Sequence, residues 1–410
     1  MSELLQGDCL IRLKELKDNS IDAIITDPPY ELGFMGKKWD SSGIAYNVEM
    51  WKECLRVLKP GGHLLSFGGT RTYHRMAVAI EDAGFEIRDM INWCYGSGFP
   101  KSLNVGKAYD KEMGNKREVV GELKLTGTAR NKYTIGAKTS SAIASNYKID
   151  KTLTDVTKGT SKWEGWGTAL KPAHEPICMA RKPLSEKTVV DNVIKWSTGG
   201  INIDGCRVGT KESTIRKSTE GLTYEGWGMK QGGITGSETG RFPANLIHDN
   251  SEEVRECFPD TNVGARKAGQ LRHTKDGDLN FTGNTYTVND YPANSGNASR
   301  FFKSIIYQAK ASKRERNKGC KDLEKGCFHP TVKPLALMRY LVTLVSRKGQ
   351  TVLDPFAGSG TTLVACKELG RNYIGIELEE EYVPIIEARL KATKELEQFK
   401  QANLFENSKK

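Results

Sequence analysis

The sequence predicts an α/β fold, with a mainly parallel sheet built from the two ends of the chain and a loop-rich middle. Three observations predict it. Short apolar runs stop at turn residues, as in Ile21-Asp22-Ala23-Ile24-Ile25-Thr26 before Asp27-Pro28-Pro29, which is how buried parallel strands read. Stretches of helical spacing alternate with those runs. Near the C-terminal end, the strand Thr351–Leu353 passes through a glycine turn directly into a helix, Gly360–Leu369.

In chain order, Ile21–Thr26 is the first such strand. A helix around Val48–Leu58 follows and ends at Lys59-Pro60-Gly61-Gly62. His63–Phe67 is the next strand, Arg71–Ala83 has helical character, and Ile87–Tyr95 is a strand leading into a Gly-Ser-Gly-Phe-Pro-Lys loop. From there to about Leu170 the chain is polar and weakly periodic. Glu175–Ala180 returns to the sheet as a strand. Residues 205–300 are rich in Gly, Asn and Thr with no long periodic element, and so long a loop-rich stretch within a compact domain is usually functional. Pro334–Ser346 then reads as a helix, Thr351–Leu353 and Tyr373–Ile376 as strands flanking the helix Gly360–Leu369, and Glu380–Leu396 as a charged amphipathic helix.

Composition narrows the class. In 410 residues there is no apolar run of transmembrane length, and Met1–Asp8 carries neither a basic region nor an apolar signal stretch, so a soluble, cytoplasmic protein is expected. The net charge of +11 is uneven: Lys101–Glu164 holds 13 basic and 7 acidic residues, and Arg300–Lys321 holds 8 and 1. Clustered positive charge is the footprint of a polyanion binder. Nine scattered cysteines without a CxxC pair predict reduced thiols. Cys320, Cys327 and His329 fit no common zinc spacing, so no metal is expected.

Two motifs carry chemistry. In Asp354-Pro355-Phe356-Ala357-Gly358-Ser359-Gly360-Thr361-Thr362, glycines let the backbone approach a ligand at a helix N-terminus. No Lys follows Gly360, as a phosphate loop requires, and position 363 is Leu where a dinucleotide fingerprint needs Gly. The next strand ends in Glu377, and a carboxylate there suits a ribose diol. A ligand with a ribose but no phosphate fits best. In Asp27-Pro28-Pro29-Tyr30 the prolines fix φ and remove two N–H donors, so the turn presents acceptors. A rigid acceptor pair suits an exocyclic amino group, with Tyr30 available to stack on its base.

Together these motifs resemble the S-adenosylmethionine-dependent amino-methyltransferases of DNA bases. Their order, catalytic turn first and cofactor loop last, is similar to that family's permuted β group. The resemblance runs through residues 3–100, 171–205 and 300–396. Gly7-Asp8-Cys9-Leu10 resembles the acidic tip after the third strand, and His329-Pro330-Thr331-Val332-Lys333-Pro334 the segment that opens the helix over the methionine end of the cofactor. Phe99-Pro100-Lys101-Ser102 is similar to a loop of phage and bacterial members.

The resemblance implies a Rossmann-like seven-stranded methyltransferase sheet, circularly permuted, with Leu4–Gly7 as its third strand. It divides the chain into a catalytic half (1–100), a basic insertion (101–170), a return to the sheet (171–204), a target-recognition insertion (205–300), a cofactor-binding half (301–400) and a tail (401–410). Asp27, Pro28, Pro29 and Tyr30 are the implied catalytic residues. Asp8, Lys333, Asp354, Phe356, Ala357, Gly358, Ser359, Gly360, Thr361 and Glu377 are the implied cofactor residues, with Asp8 either holding the cofactor adenine or biasing the pocket. Lys101, Lys313, Arg314 and Arg316 are expected on duplex DNA. Members specific for cytosine N4 usually carry Ser where Asp27 stands, which favours adenine N6. The same motifs are compatible, less well, with an RNA base methyltransferase or an inactive DNA-binding protein. A homodimer and a separate cognate restriction endonuclease are compatible partners.

Overall fold

The computed structural model describes residues 2–33, 38–98, 102–124, 153–210, 216–217, 234–235, 239–264, 271–273, 285–287, 294–305 and 311–396. Lys101 with Phe99 and Pro100, about half of the expected recognition stretch 205–300, and the tail 401–410 lie outside the described residues. The chain divides into one compact unit of residues 1–97 and 173–410 and a second of residues 98–172.

The large unit is built on a nine-stranded sheet. In chain order its strands are β1 (Glu3–Gln6), β2 (Ile21–Thr26), β3 (Leu58–Phe67), β4 (Glu86–Cys94), β5 (His174–Arg181), β6 (Leu246–His248), β7 (Lys303–Ser304), β8 (Thr351–Asp354) and β9 (Asn372–Glu377). Their order across the sheet is β1-β9-β8-β2-β3-β5-β4-β6-β7. All pairs are parallel except those of β5, which runs against both β3 and β4. The first seven positions form the expected permuted sheet, with β1 beside β9, Gln6 opposite Glu377. The two added strands have three and two residues, too few for any periodicity to reveal.

Strands buried on both faces explain the continuous apolar runs. All six residues of β2 are buried. Ala23, Ile25, Leu65, Phe67 and Val352 join one apolar layer with the helices Leu335–Val345 and Thr361–Glu368. Ile24, Leu64 and Leu353 point the other way, into a layer with the helices Val48–Val57 and Tyr73–Asp82. Each fully buried aliphatic side chain contributes about 1.5–3 kcal/mol.

Four local expectations are revised. Strand β3 begins at Leu58 and runs through Lys59-Pro60-Gly61-Gly62, helped by Gly61 at φ 79° and a register shift against β2. The C-terminal helix is a 3₁₀ turn, Glu380–Tyr382, followed by Val383–Lys391, because Pro384 is tolerated only in a helix's first turn. A helix at Val189–Trp196 escaped the sequence pattern. Its buried residue is Asn192, which donates to the carbonyls of Pro60 and Thr198, while Val190 and Ile194 are exposed. The polar stretch after residue 98 has structure of its own. The second unit holds a helix, Val105–Glu112, and a ribbon of Glu118–Lys124 with Leu153–Lys158, tied by Arg117 to buried Asp110 and to Glu164 at 2.8 Å.

Among the described residues no helix is long and apolar enough to cross a membrane, and no cluster of three His, Cys, Asp or Glu could hold a metal ion. Cys320 and Cys327 are buried in a small apolar cluster with Val332 and Tyr382.

Candidate active site

Parallel strands bring their C-terminal tips to one edge, where ligands bind in open α/β sheets. Three neighbouring tips here carry carboxylates: Glu377 on β9, Asp354 on β8 and Asp27 just after β2. All three line one cleft. Asp8, Trp39, Ile44, His329, Lys333, Phe356, Ala357, Gly358, Ser359 and Thr361 also line it. A chain of net charge +11 thus has an acidic binding edge.

The glycine turn is held from below. Gly358 and Gly360 have φ of 54° and 72°, a region open to glycine at little cost. A Cβ on Gly358 would lie 3.1 Å from His329 Nε2, whereas one on Gly360 would lie 2.7 Å from Ile386 Cγ2. The place of a Gly360 Cβ is therefore taken by the packed helix. Arg389, buried beneath the turn, donates to the Ser359 carbonyl at 2.5 Å and to Thr361 Oγ1 at 3.0 Å. Phe356 packs against the core layer of Ile24 and Leu353, and the Ala357 N–H donates to the Ile376 carbonyl.

Glu377 accepts from the Gly358 N–H at 2.6 Å and the Glu379 N–H at 2.9 Å. Burial nevertheless pushes its pKa up to about 7. Asp354 accepts from the Thr26 hydroxyl at 2.7 Å and the Phe356 N–H at 3.2 Å, and burial pushes it up to about 6. Asp8 uses one oxygen to cap the short helix Cys9–Arg12, accepting from the Leu10 N–H at 2.8 Å. His329 lies edge-on to Tyr382, and burial drives its pKa down to about 3.

Asp27 stands in a second group. Pro28 is buried behind it and Pro29 lines the cleft. The Lys333 ammonium is 2.8 Å from Asp27 Oδ1 as an ion pair. It lies off the direction of a hydrogen bond, and this buried oxygen has no hydrogen-bond partner. Lys333 donates to the Tyr30 hydroxyl at 2.9 Å and to Glu175 Oε2 at 3.0 Å, and Tyr30 donates to the same Oε2 at 2.8 Å. Burial raises the Asp27 pKa, and the charge of Glu175 adds to the rise against Lys333. Burial would lower the Lys333 pKa, but the two carboxylates outweigh it and hold the ammonium charged. Lys333, expected beside the cofactor, thus has its ammonium among the residues of the Asp-Pro-Pro-Tyr turn.

Sequence reasoning missed Glu175, Asp40 and Arg389. Asp40 accepts from the N–H groups of Tyr30 and Glu31 at 2.8 and 3.1 Å and of Leu32 at 3.2 Å. It fixes a turn in which Glu31 has φ 56°. Of the expected DNA contacts, Lys313 and Arg314 are exposed. Arg316 is half-buried and donates to the His329 carbonyl at 2.6 Å. It supports the segment that carries Lys333.

The model of the DNA methylase family, which covers both N6 and N4 methyltransferases, matches residues 21–388. The chain belongs to this family. Among DNA methylases it is similar to the type II methyltransferase M.HindIII of Haemophilus influenzae, 25% identical over 417 residues, 91% of this chain and 90% of that one. It is also similar to M2.DpnII of Streptococcus pneumoniae, 48% identical over 67 residues, 16% of this chain and 25% of that one. Similar solved structures include the cytosine-N4-specific PvuII DNA methyltransferase, 14% identical with a TM-score of 0.46, covering 95% of this chain and 86% of that one. Another is the M1.HpyAVI–SAM complex, 18% identical with a TM-score of 0.40, covering 95% and 99%.

Proposed function

We propose that this DNA methyltransferase acts on the N6 amino group of a flipped adenine in duplex DNA, with S-adenosyl-L-methionine as donor. The observation that carries the reading is the Asp27 carboxylate, its side chain 21% exposed and lining the same cleft as Glu377 and the glycine turn. Its Oδ1 is buried beside the Lys333 ammonium, which leaves the other carboxylate oxygen to accept an amino hydrogen. Asp27 in place of Ser favours adenine over cytosine N4.

When bound, S-adenosylmethionine supplies an electrophilic methyl group on a sulfonium. Glu377 would accept from the ribose hydroxyls, Phe356 would pack near the adenosine, and Asp354 with the 358–361 turn would lie toward the methionine portion. Asp27 and the Pro28 carbonyl would hold the two amino hydrogens, drawing the nitrogen lone pair out of ring conjugation. No covalent enzyme intermediate is needed, since the amine is itself the nucleophile. Positioning and fixed charge then supply most of the rate. Extruding the base costs a few kcal/mol, which DNA contacts must offset. Mass spectrometry of nucleosides from a methylation-free host expressing the chain tests the reading. N6-methyladenine is expected, and N4-methylcytosine would transfer the same mechanism to the other amine.

The pKa of Glu377 gives a pH test. Its folded value of about 7 lies above the ordinary 4.5, so protonation favours the folded chain. Its contribution to stability without cofactor should be fully present below about 4.5 and be lost as pH rises through about 7. Cofactor affinity should run the other way, because the ribose hydroxyls need the ionised carboxylate. Calorimetric titrations between about pH 5.5 and 8.5 should show affinity rising through about pH 7 and levelling off above it in wild type, with no such rise in Glu377→Gln. A flat wild-type profile would remove Glu377 from the cofactor site.

The exposed pair Lys313 and Arg314 is proposed to meet phosphates. Replacing both by Ala, with Arg316 left in place, should reduce the salt slope of DNA affinity by about 0.9 log unit per log unit of salt for each lost contact. All DNA sequences should weaken about equally. An unchanged slope would place the duplex elsewhere. We further propose a cytoplasmic, nucleoid-bound protein, compatible with a homodimer and a cognate endonuclease in a restriction–modification pair.

A further inference from the structure

Glu175 lies at the start of β5, the one strand of the nine-stranded sheet that runs against its neighbours. The start of β5 therefore reaches the sheet edge where the parallel strands end: Trp93 near the end of β4 pairs with Glu175, and Phe67 at the end of β3 pairs with Ile177. Its Oε2 accepts from the Tyr30 hydroxyl at 2.8 Å and from Lys333 at 3.0 Å, and its Oε1 accepts from the Tyr95 hydroxyl at 3.3 Å. An ammonium has three protons to donate. Here two directions are taken by Glu175 and Tyr30, while Asp27 Oδ1, only 2.8 Å away, is left without a hydrogen bond.

We propose that Glu175 is a positioning residue for methyl transfer: it holds Lys333 on the buried Oδ1 side of Asp27, so that the ammonium neutralises the carboxylate and leaves its other oxygen to receive the target amine. The inference rests on Asp27 being that acceptor. Without Glu175, Lys333 would turn fully onto Asp27 and compete with the amine. Two carboxylates around one ammonium also leave one net negative charge, which suits an amine on which positive charge develops.

Asp27 is faced by Lys333, Glu175, Tyr30 and Asp354, with Tyr95 behind Glu175 and His329 behind Lys333. Glu175→Gln keeps the shape and removes one charge from this set. In single-turnover methylation with saturating S-adenosylmethionine, its rate should fall about 10- to 100-fold, the usual effect of losing an outer partner of a reacting group. Cofactor affinity should stay within a few-fold of wild type. The acid limb of the pH profile, which reports the carboxylate pair, should move to lower pH, because a like charge beside Asp27 is gone.

Tyr95→Phe removes one donor from Glu175 and should move the limb to higher pH, by less. Opposite shifts are not expected of residues that only support the fold. A wild-type rate and limb in Glu175→Gln overturns the inference. Should that variant fold poorly, an unmoved limb in Tyr95→Phe overturns it instead. If Asp27→Ala is inactive while Glu175→Gln matches wild type, only this inference falls. If Asp27→Ala remains active, the proposed reading of the site falls with it.

Discussion

Asp27→Ala is expected to lower methyl transfer by at least about 10²-fold, the usual cost of losing one preorganised group at the reacting atoms, while cofactor affinity stays within a few-fold of wild type. The carboxylate lies after β2, and the glycine turn and Glu377 belong to β8, β9 and their connections. The fold should survive the change. Lys333 keeps Glu175 and Tyr30 as acceptors, so no buried charge is left unpaired, the usual origin of large losses. Labelled-methyl transfer to DNA, read beside equilibrium dialysis of the cofactor, separates the two effects. Activity above about one per cent of wild type would end the case for Asp27 as the amine's acceptor.

Gly360→Val should act through stability. The new Cβ would meet Ile386 Cγ2 at 2.7 Å, and a β-branched residue would be forced to φ 72°. Overpacking and left-handed strain each cost about 1–3 kcal/mol, so melting should fall in the absence of any cofactor, and cofactor binding should be lost with the turn. Gly358→Val differs. It shares the left-handed strain, at φ 54°, but its Cβ meets only His329, at 3.1 Å, beside the cleft, so it should melt above Gly360→Val and still weaken cofactor binding. Thermal melts of both variants without cofactor, followed by dialysis, distinguish these outcomes. A Gly360→Val protein that melts with wild type would mean that the helix beneath the turn gives way freely.

Much of the frame was legible because its signals are local. Ile21–Thr26 reads as a near-continuous apolar run because the strand is covered on both faces, and a Pro-Pro turn ends it. The turn at 358–360 announces itself through glycines that its backbone angles require. Glu175 could not be found this way. It is one acidic residue at the start of an apolar run, and its importance comes from the reversed direction of β5, which no local pattern encodes. Asp40 and Arg389 are similar, since each acts on a backbone turn through contacts that only the folded chain creates. The strands at 246–248 and 303–304 were hidden by length, and the helix at 189–196 by a polar wedge where an apolar stripe was expected. The bond from Arg316 to the His329 carbonyl was hidden because a basic run looks the same whether its members face solvent or a carbonyl.

The pairing of β1 with β9 has a consequence for synthesis. Glu3 has Ile374 as its partner, about 370 residues later. At translation rates of about 5–20 residues per second, the first strand made waits roughly 20–70 s for its neighbour to leave the ribosome. Throughout that interval Asp27 and its turn exist without the strands that carry Asp354 and Glu377, so no nascent chain can bind its methyl donor. Catalytic competence should therefore arrive only with the last strands of the sheet, and ribosome-stalled chains ending before Asn372 should retain no cofactor.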